Sequence, residues 1–116
     1  MRSAVNLERL HQISLDDDDF LLELVQTYLE DAAEQCQALD QAAASENAVL
    51  LAERAHRIKG SASNVGAESL TRLSAELETA ARNGQAHEEL RQQVGAEMRR
   101  VSDCLQEIAG NLSEGR

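Results

Sequence analysis

His56 and Lys59 stand three residues apart, with Gly60 directly after the lysine. An imidazole is a nitrogen nucleophile able to take a phosphoryl group, and an ammonium one helical turn along can meet that group's oxygens. Lys59 is the only lysine in the chain; every other basic position is arginine. A compact charge on a flexible stem suits an anion that must arrive and leave, where an arginine fork would clamp it. Gly60 costs a helix interior roughly 0.5–1 kcal/mol relative to alanine. Its position predicts that open space beside the imidazole, letting a bulky partner approach, outweighs that loss.

These side chains need a helix to face them outward. At about 100° per residue, Leu51, Ala55, Ile58, Ala62 and Val65 gather on one side of a helix predicted over about 47–64, and His56 lies roughly 140° around from them. Ala52, Lys59, Gly60 and Ser63 fall within about 60° of His56 and are expected to share its exposed face. Arg54 and Arg57 add positive charge nearby. The residue types and their spacing therefore fit a phosphoryl carrier, because phosphoryl transfer asks a protein mainly for positioning and charge stabilisation.

The remaining chain supplies the scaffold. It has 116 residues and no proline, its only aromatics are Phe20 and Tyr28, and strong helix formers dominate. Apolar residues recur three and four apart in Leu22, Val25, Leu29, Ala32, Cys36 and Leu39, in Leu70, Leu73, Leu77 and Ala80, and in Leu90, Val94, Met98, Val101, Leu105 and Ile108. With the helix around His56 these predict an all-α fold, an antiparallel up-down-up-down four-helix bundle with helices over about 17–45, 47–64, 67–82 and 86–112. A short accessory helix over about 5–13 precedes it, capped by Ser3 or Asn6. The run Asp16 to Asp19 reads as a helix start, where carboxylates cap and complement the dipole, and it lacks the spaced ligands and glycine of a calcium loop. Gly66 ends the His56 helix in the position that favours a left-handed cap. Asn83-Gly84 ends the next.

Composition narrows the function classes. A net charge of −10 repels nucleic acid and anionic lipid, and no basic stripe or set of stacking aromatics offsets it. No apolar run approaches the roughly 20 residues of a membrane span, so the expectation is a soluble, cytoplasmic, monomeric protein of one domain. Cys36 and Cys104 lie on apolar stripes and read as reduced core thiols.

The string His56-x-x-Lys59-Gly60 followed by Gly66-Ala67, with Leu70 and Leu73 in the next helix, resembles the motif of histidine-containing phosphotransfer (HPt) domains, the phosphocarriers of two-component relays. The resemblance covers nearly the whole chain, including the Asp-rich lead into Phe20–Leu29 and the order of helices. It implies that His56 accepts a phosphoryl group from the aspartate of one receiver domain and passes it to another, the partners being receiver domains of hybrid sensor kinases and response regulators. It implies that Lys59 stabilises phosphate charge, that Ala52, Gly60 and Ser63 serve receiver docking and access, and that Gly66 makes the turn. It also implies that Glu78, by position in the following helix, orients the imidazole. The family's receiver supplies Mg²⁺, so no metal or other cofactor of the chain's own is expected. No P-loop or kinase-type glycine loop is present, so no ATP-dependent kinase activity is expected.

Two other classes compete on sequence alone. One is a helical interaction module that binds a response regulator or sensor kinase without transferring a group. The other is a metal–carboxylate bundle built from Asp16–Asp19 with His11, His56 and His87. It is disfavoured because such a site needs facing Glu-x-x-His pairs on two core helices, and of the two in this chain Glu8-x-x-His11 lies in the accessory segment, which leaves Glu53-x-x-His56 without a matching pair. The seam of residues 22–43 also leaves room for pairing with a second chain.

Overall fold

A computed structural model describes residues 4–114, which form helices α1 (Leu7–Ile13), α2 (Asp18–Ala44), α3 (Ala48–Asn64), α4 (Glu68–Arg82) and α5 (Glu88–Glu114). No strand occurs among the described residues. The starts of α1, α2 and α3 are set by side chains that satisfy free N–H groups of the first turn, whereas α4 follows Ala67 with no side-chain cap. Asn6 Oδ1 accepts from the Arg9 N–H at 3.0 Å. Asp17 Oδ1 accepts from Asp19 and Phe20 at 3.0 and 3.1 Å, which gives the acidic run its capping role. Asn47 Oδ1 accepts from Leu50 at 3.1 Å. Ser3, the alternative first cap, lies outside the described residues.

Helices α2 and α4 each pack against both α3 and α5, closing a four-membered ring of antiparallel neighbours, and the α3–α4 pair is the most extensive. The predicted apolar stripes of α3, α4 and α5 point inward, with Leu51 and Ile58, Leu70 and Leu77, and Val94, Val101 and Leu105 all buried. In α2 Val25 and Leu39 are buried as predicted, but Leu21 takes the innermost place at the start of the helix and Leu22, Leu29 and Cys36 are half-buried at the edge of the seam. Each such side chain contributes about 1.5–3 kcal/mol by leaving water. Cys36 and Cys104 are thiols half-buried at the margin of this core, not inside it. The seam of α2 is consumed within the bundle, with Tyr28, Ala32 and Ala42 also buried. No helix is long and apolar enough to cross a membrane.

Helices α2 and α5 have 27 residues each, against 17 in α3 and 15 in α4. At 1.5 Å per residue the long pair outruns the short pair by about 15 Å. The segment containing α1 packs at the α3–α4 turn, where Val5 and Leu10 are completely buried. Its tether is the Asn6 N–H, which donates to the Gly66 carbonyl at 2.9 Å, while Asn6 Nδ2 donates to Glu68 at 3.0 Å. Gly66 has φ +71°, and a Cβ there would meet the Asn6 carbonyl oxygen at 3.1 Å. Glycine is therefore required twice over, by backbone conformation and by the close approach of the N-terminal segment. The whole is a short rod of 48 × 23 × 21 Å.

Candidate functional site

His56 lies midway along α3 with its side chain 62% exposed, as the helical rotation predicts. Glu78 projects from α4 against it, and the two carboxylate oxygens lie 3.2 and 3.1 Å from His56 Nδ1. Lys59 Nζ donates to Glu78 Oε1 at 3.1 Å. Arg82, one turn beyond Glu78 on α4, donates to Oε2 from both Nε and Nη2 at 3.1 Å. One carboxylate thus gathers three basic side chains from two helices.

The electrostatics follow from that crowding. Glu78 has only 13% of its side chain exposed. Burial pushes its carboxyl up, but the hydrogen bonds from Lys59, His56 and Arg82 outweigh burial and hold its pKa at about 2, down from 4.5. Glu78 is therefore ionised throughout the neutral range, and an ionised carboxylate can only accept. In the neutral imidazole the proton consequently sits on Nδ1, which leaves the Nε2 lone pair free. The same carboxylate is in place to stabilise positive charge on the ring.

The other predicted positions divide. Gly60 is exposed, and a Cβ built on it would meet nothing within 4 Å. Ser63 is exposed farther along α3, where it lines a shallow groove with Arg9, Thr71 and Arg72. Ala52 is a correction: it is completely buried and offers no docking surface. It lies about 100° from the centre of the apolar face, on the flank that α4 covers. A methyl group there stays underneath the neighbour, whereas Lys59, at nearly the same angle, has a stem long enough to emerge beside Glu78.

Arg54 and Arg57 do not join the cluster; they line a polar groove on α2 and α3 with Asp31 and Glu34. His11 lies 3.6 Å from Asp16 near the chain start, and His87 is half-buried just before α5. Among the described residues no group of three or more His, Cys, Asp or Glu side chains is arranged to hold a metal ion. Arg82 is the site residue that the sequence reading missed. Its pairing with Glu78 is readable from the sequence, as a basic residue four positions after a glutamate on one helix, but its place beside His56 and Lys59 is not.

A helical bundle that presents a solvent-facing imidazole oriented by a carboxylate on the adjacent helix defines a class of histidine-bearing four-helix domains. The family model described as Hpt domain matches residues 23–111. The chain belongs to the Hpt domain family. Its structure is similar to the crystal structure of histidine-containing phosphotransfer protein B from Pseudomonas aeruginosa, with 26% identity, a TM-score of 0.86, and coverage of 96% of this chain and 98% of that one. It also resembles the HPT domain of a sensor hybrid histidine kinase from Shewanella, with 17% identity, a TM-score of 0.85, and coverage of 95% and 97%. No curated protein matches the chain in sequence.

Proposed function

We propose that this protein is a phosphorelay intermediate in which His56 accepts a phosphoryl group from a receiver-domain aspartate and passes it to a second receiver. The observation that carries this reading is the exposed imidazole whose Nδ1 lies 3.1 Å from a carboxylate held ionised. In the accepting step the Nε2 lone pair forms a bond to phosphorus as the P–O bond to the aspartate breaks, the electron pair leaving on the carboxylate oxygen. The ring keeps its Nδ1 proton and becomes cationic, and Glu78 stabilises it. In the return step a carboxylate oxygen of the second receiver attacks phosphorus, and the P–N pair returns to Nε2. The departing group is a neutral imidazole because Glu78 has kept its proton in place.

Lys59 supplies charge to the phosphoryl oxygens, and Gly60 and Ser63 lie on the surface that the receiver covers. Mg²⁺ belongs to the receiver in this reading, and the chain brings no cofactor. The protein is expected to work in the cytoplasm as a monomer, in keeping with a long α2 seam buried within its own bundle; light scattering should give the mass of one chain. Family membership and the similarity to a phosphotransfer protein support the relay role.

The test is transfer of label from a phosphorylated receiver domain. The adduct should be acid-labile and base-stable, as a phosphoramidate linkage is, and His56→Gln should abolish it. Label that persists in that variant would remove His56 from the mechanism.

A further inference from the structure

Lys59 has a conflict of duties. In the resting protein its ammonium is held by Glu78 Oε1 at 3.1 Å, yet the relay needs it at the phosphoryl oxygens. For Lys59 to leave, a carboxylate with 13% of its side chain exposed must give up a fully charged partner. Were Lys59 its only counter-charge, losing it would be costly, because the remaining charge would be neither solvated nor paired.

Arg82 resolves the conflict. Its Nε and Nη2 both donate to Oε2 at 3.1 Å, so that oxygen keeps a two-pronged cationic partner when the lysine departs. Oε1 meanwhile retains His56 Nδ1 at 3.2 Å. The side chains suit this division: a planar fork holds a carboxylate in a fixed geometry, and a flexible stem moves a point charge. Arg82 and Glu78 also sit one turn apart on the same helix, so the anchor and its carboxylate are carried together by α4.

Resting on the phosphocarrier reading above, we propose that Arg82 is a positioning residue that neutralises Glu78, freeing Lys59 for the phosphoryl group while the carboxylate stays against Nδ1. Arg82 acts through Glu78 and makes no contact with the phosphoryl group itself. The resting site is thereby a loaded exchange, with one cation staying and one cation travelling.

Phosphoramidate, a small phosphodonor, reports on His56 without a receiver having to dock. Labelling rates are compared in the wild type, Arg82→Ala, Arg82→Lys, Lys59→Met and the double variant Lys59→Met/Arg82→Ala. Arg82→Ala should slow labelling about fivefold, the scale of one partly exposed charged pair, and Arg82→Lys should recover part of the loss. The decisive comparison is the double variant, which should be no slower than Lys59→Met alone to within about twofold, because an arginine that acts by releasing the lysine has nothing to release. The ¹⁵N resonances of the His56 ring should still report Nδ1–H in Arg82→Ala, since Lys59 then closes on Glu78. Fully additive losses would overturn the proposal by assigning Arg82 a separate action, as would an unchanged Arg82→Ala rate. A wild-type protein that takes no label on His56 sinks the relay reading itself; a labelled wild type with an indifferent Arg82 sinks this inference alone.

Discussion

Glu78 sets the acid behaviour of the site. A carboxyl whose pKa falls from 4.5 to about 2 on folding contributes stability that is fully present above about pH 4.5 and is lost as pH falls toward 2. Glu78→Gln removes that contribution. The gap in urea midpoint between wild type and Glu78→Gln should therefore be steady from pH 7 to about 5 and narrow below about 4.5. A gap of constant width down to pH 2.5 would show that the carboxylate is not held by its three partners. The same variant should transfer phosphoryl groups about tenfold more slowly, because a neutral amide cannot stabilise the ring cation as a carboxylate does. Stopped-flow transfer from a phosphorylated receiver measures this directly.

At the scale of the helices, two glycines make opposite demands. Gly60 sits in mid-α3 with open space where its side chain would be, so nothing inside the protein requires it. Gly60→Ala should stabilise the free chain by about 0.5–1 kcal/mol, read as a higher denaturation midpoint. It should slow transfer from a receiver while leaving phosphoramidate labelling unaffected; equal slowing of both would place its role inside the chain after all. Gly66→Ala should instead cost about 1–2 kcal/mol, because φ +71° is strained for any side chain and the new methyl presses on the Asn6 carbonyl.

What the sequence made legible follows the same division. Rotation about one helix located His56 and Gly60 on the exposed face, because their exposure depends on α3 alone. It misplaced Ala52 because α3 is covered on two sides, by α2 and by α4, and a single helical wheel knows only the mean apolar direction. The partnership of Glu78 with His56 came from family resemblance, since it depends on the register between α3 and α4, which periodicity does not encode. Arg82 was hidden for a simpler reason: an arginine four residues after a glutamate is ordinary on any exposed helix, and only the nearness of His56 and Lys59 makes this pair part of a site.

For the molecule as a whole, a net charge of −10 surrounds one locus where three basic side chains crowd a single carboxylate. By charge balance, that contrast predicts anion binding at this locus and not to the surface in general. Added duplex DNA should not compete with phosphoramidate for His56 at physiological salt; inhibition by DNA would show a basic surface that the charge balance denies. The rod-like shape, 48 Å long and little more than 20 Å across, has a consequence for how the molecule tumbles. Amide vectors along the helices should relax with a different rotational correlation time from those across them. A partner bound broadside at His56 rounds the particle, so the mean correlation time should rise while the anisotropy falls. A partner on either tip would lengthen the particle and raise both, so spin relaxation alone can report where the rod is held.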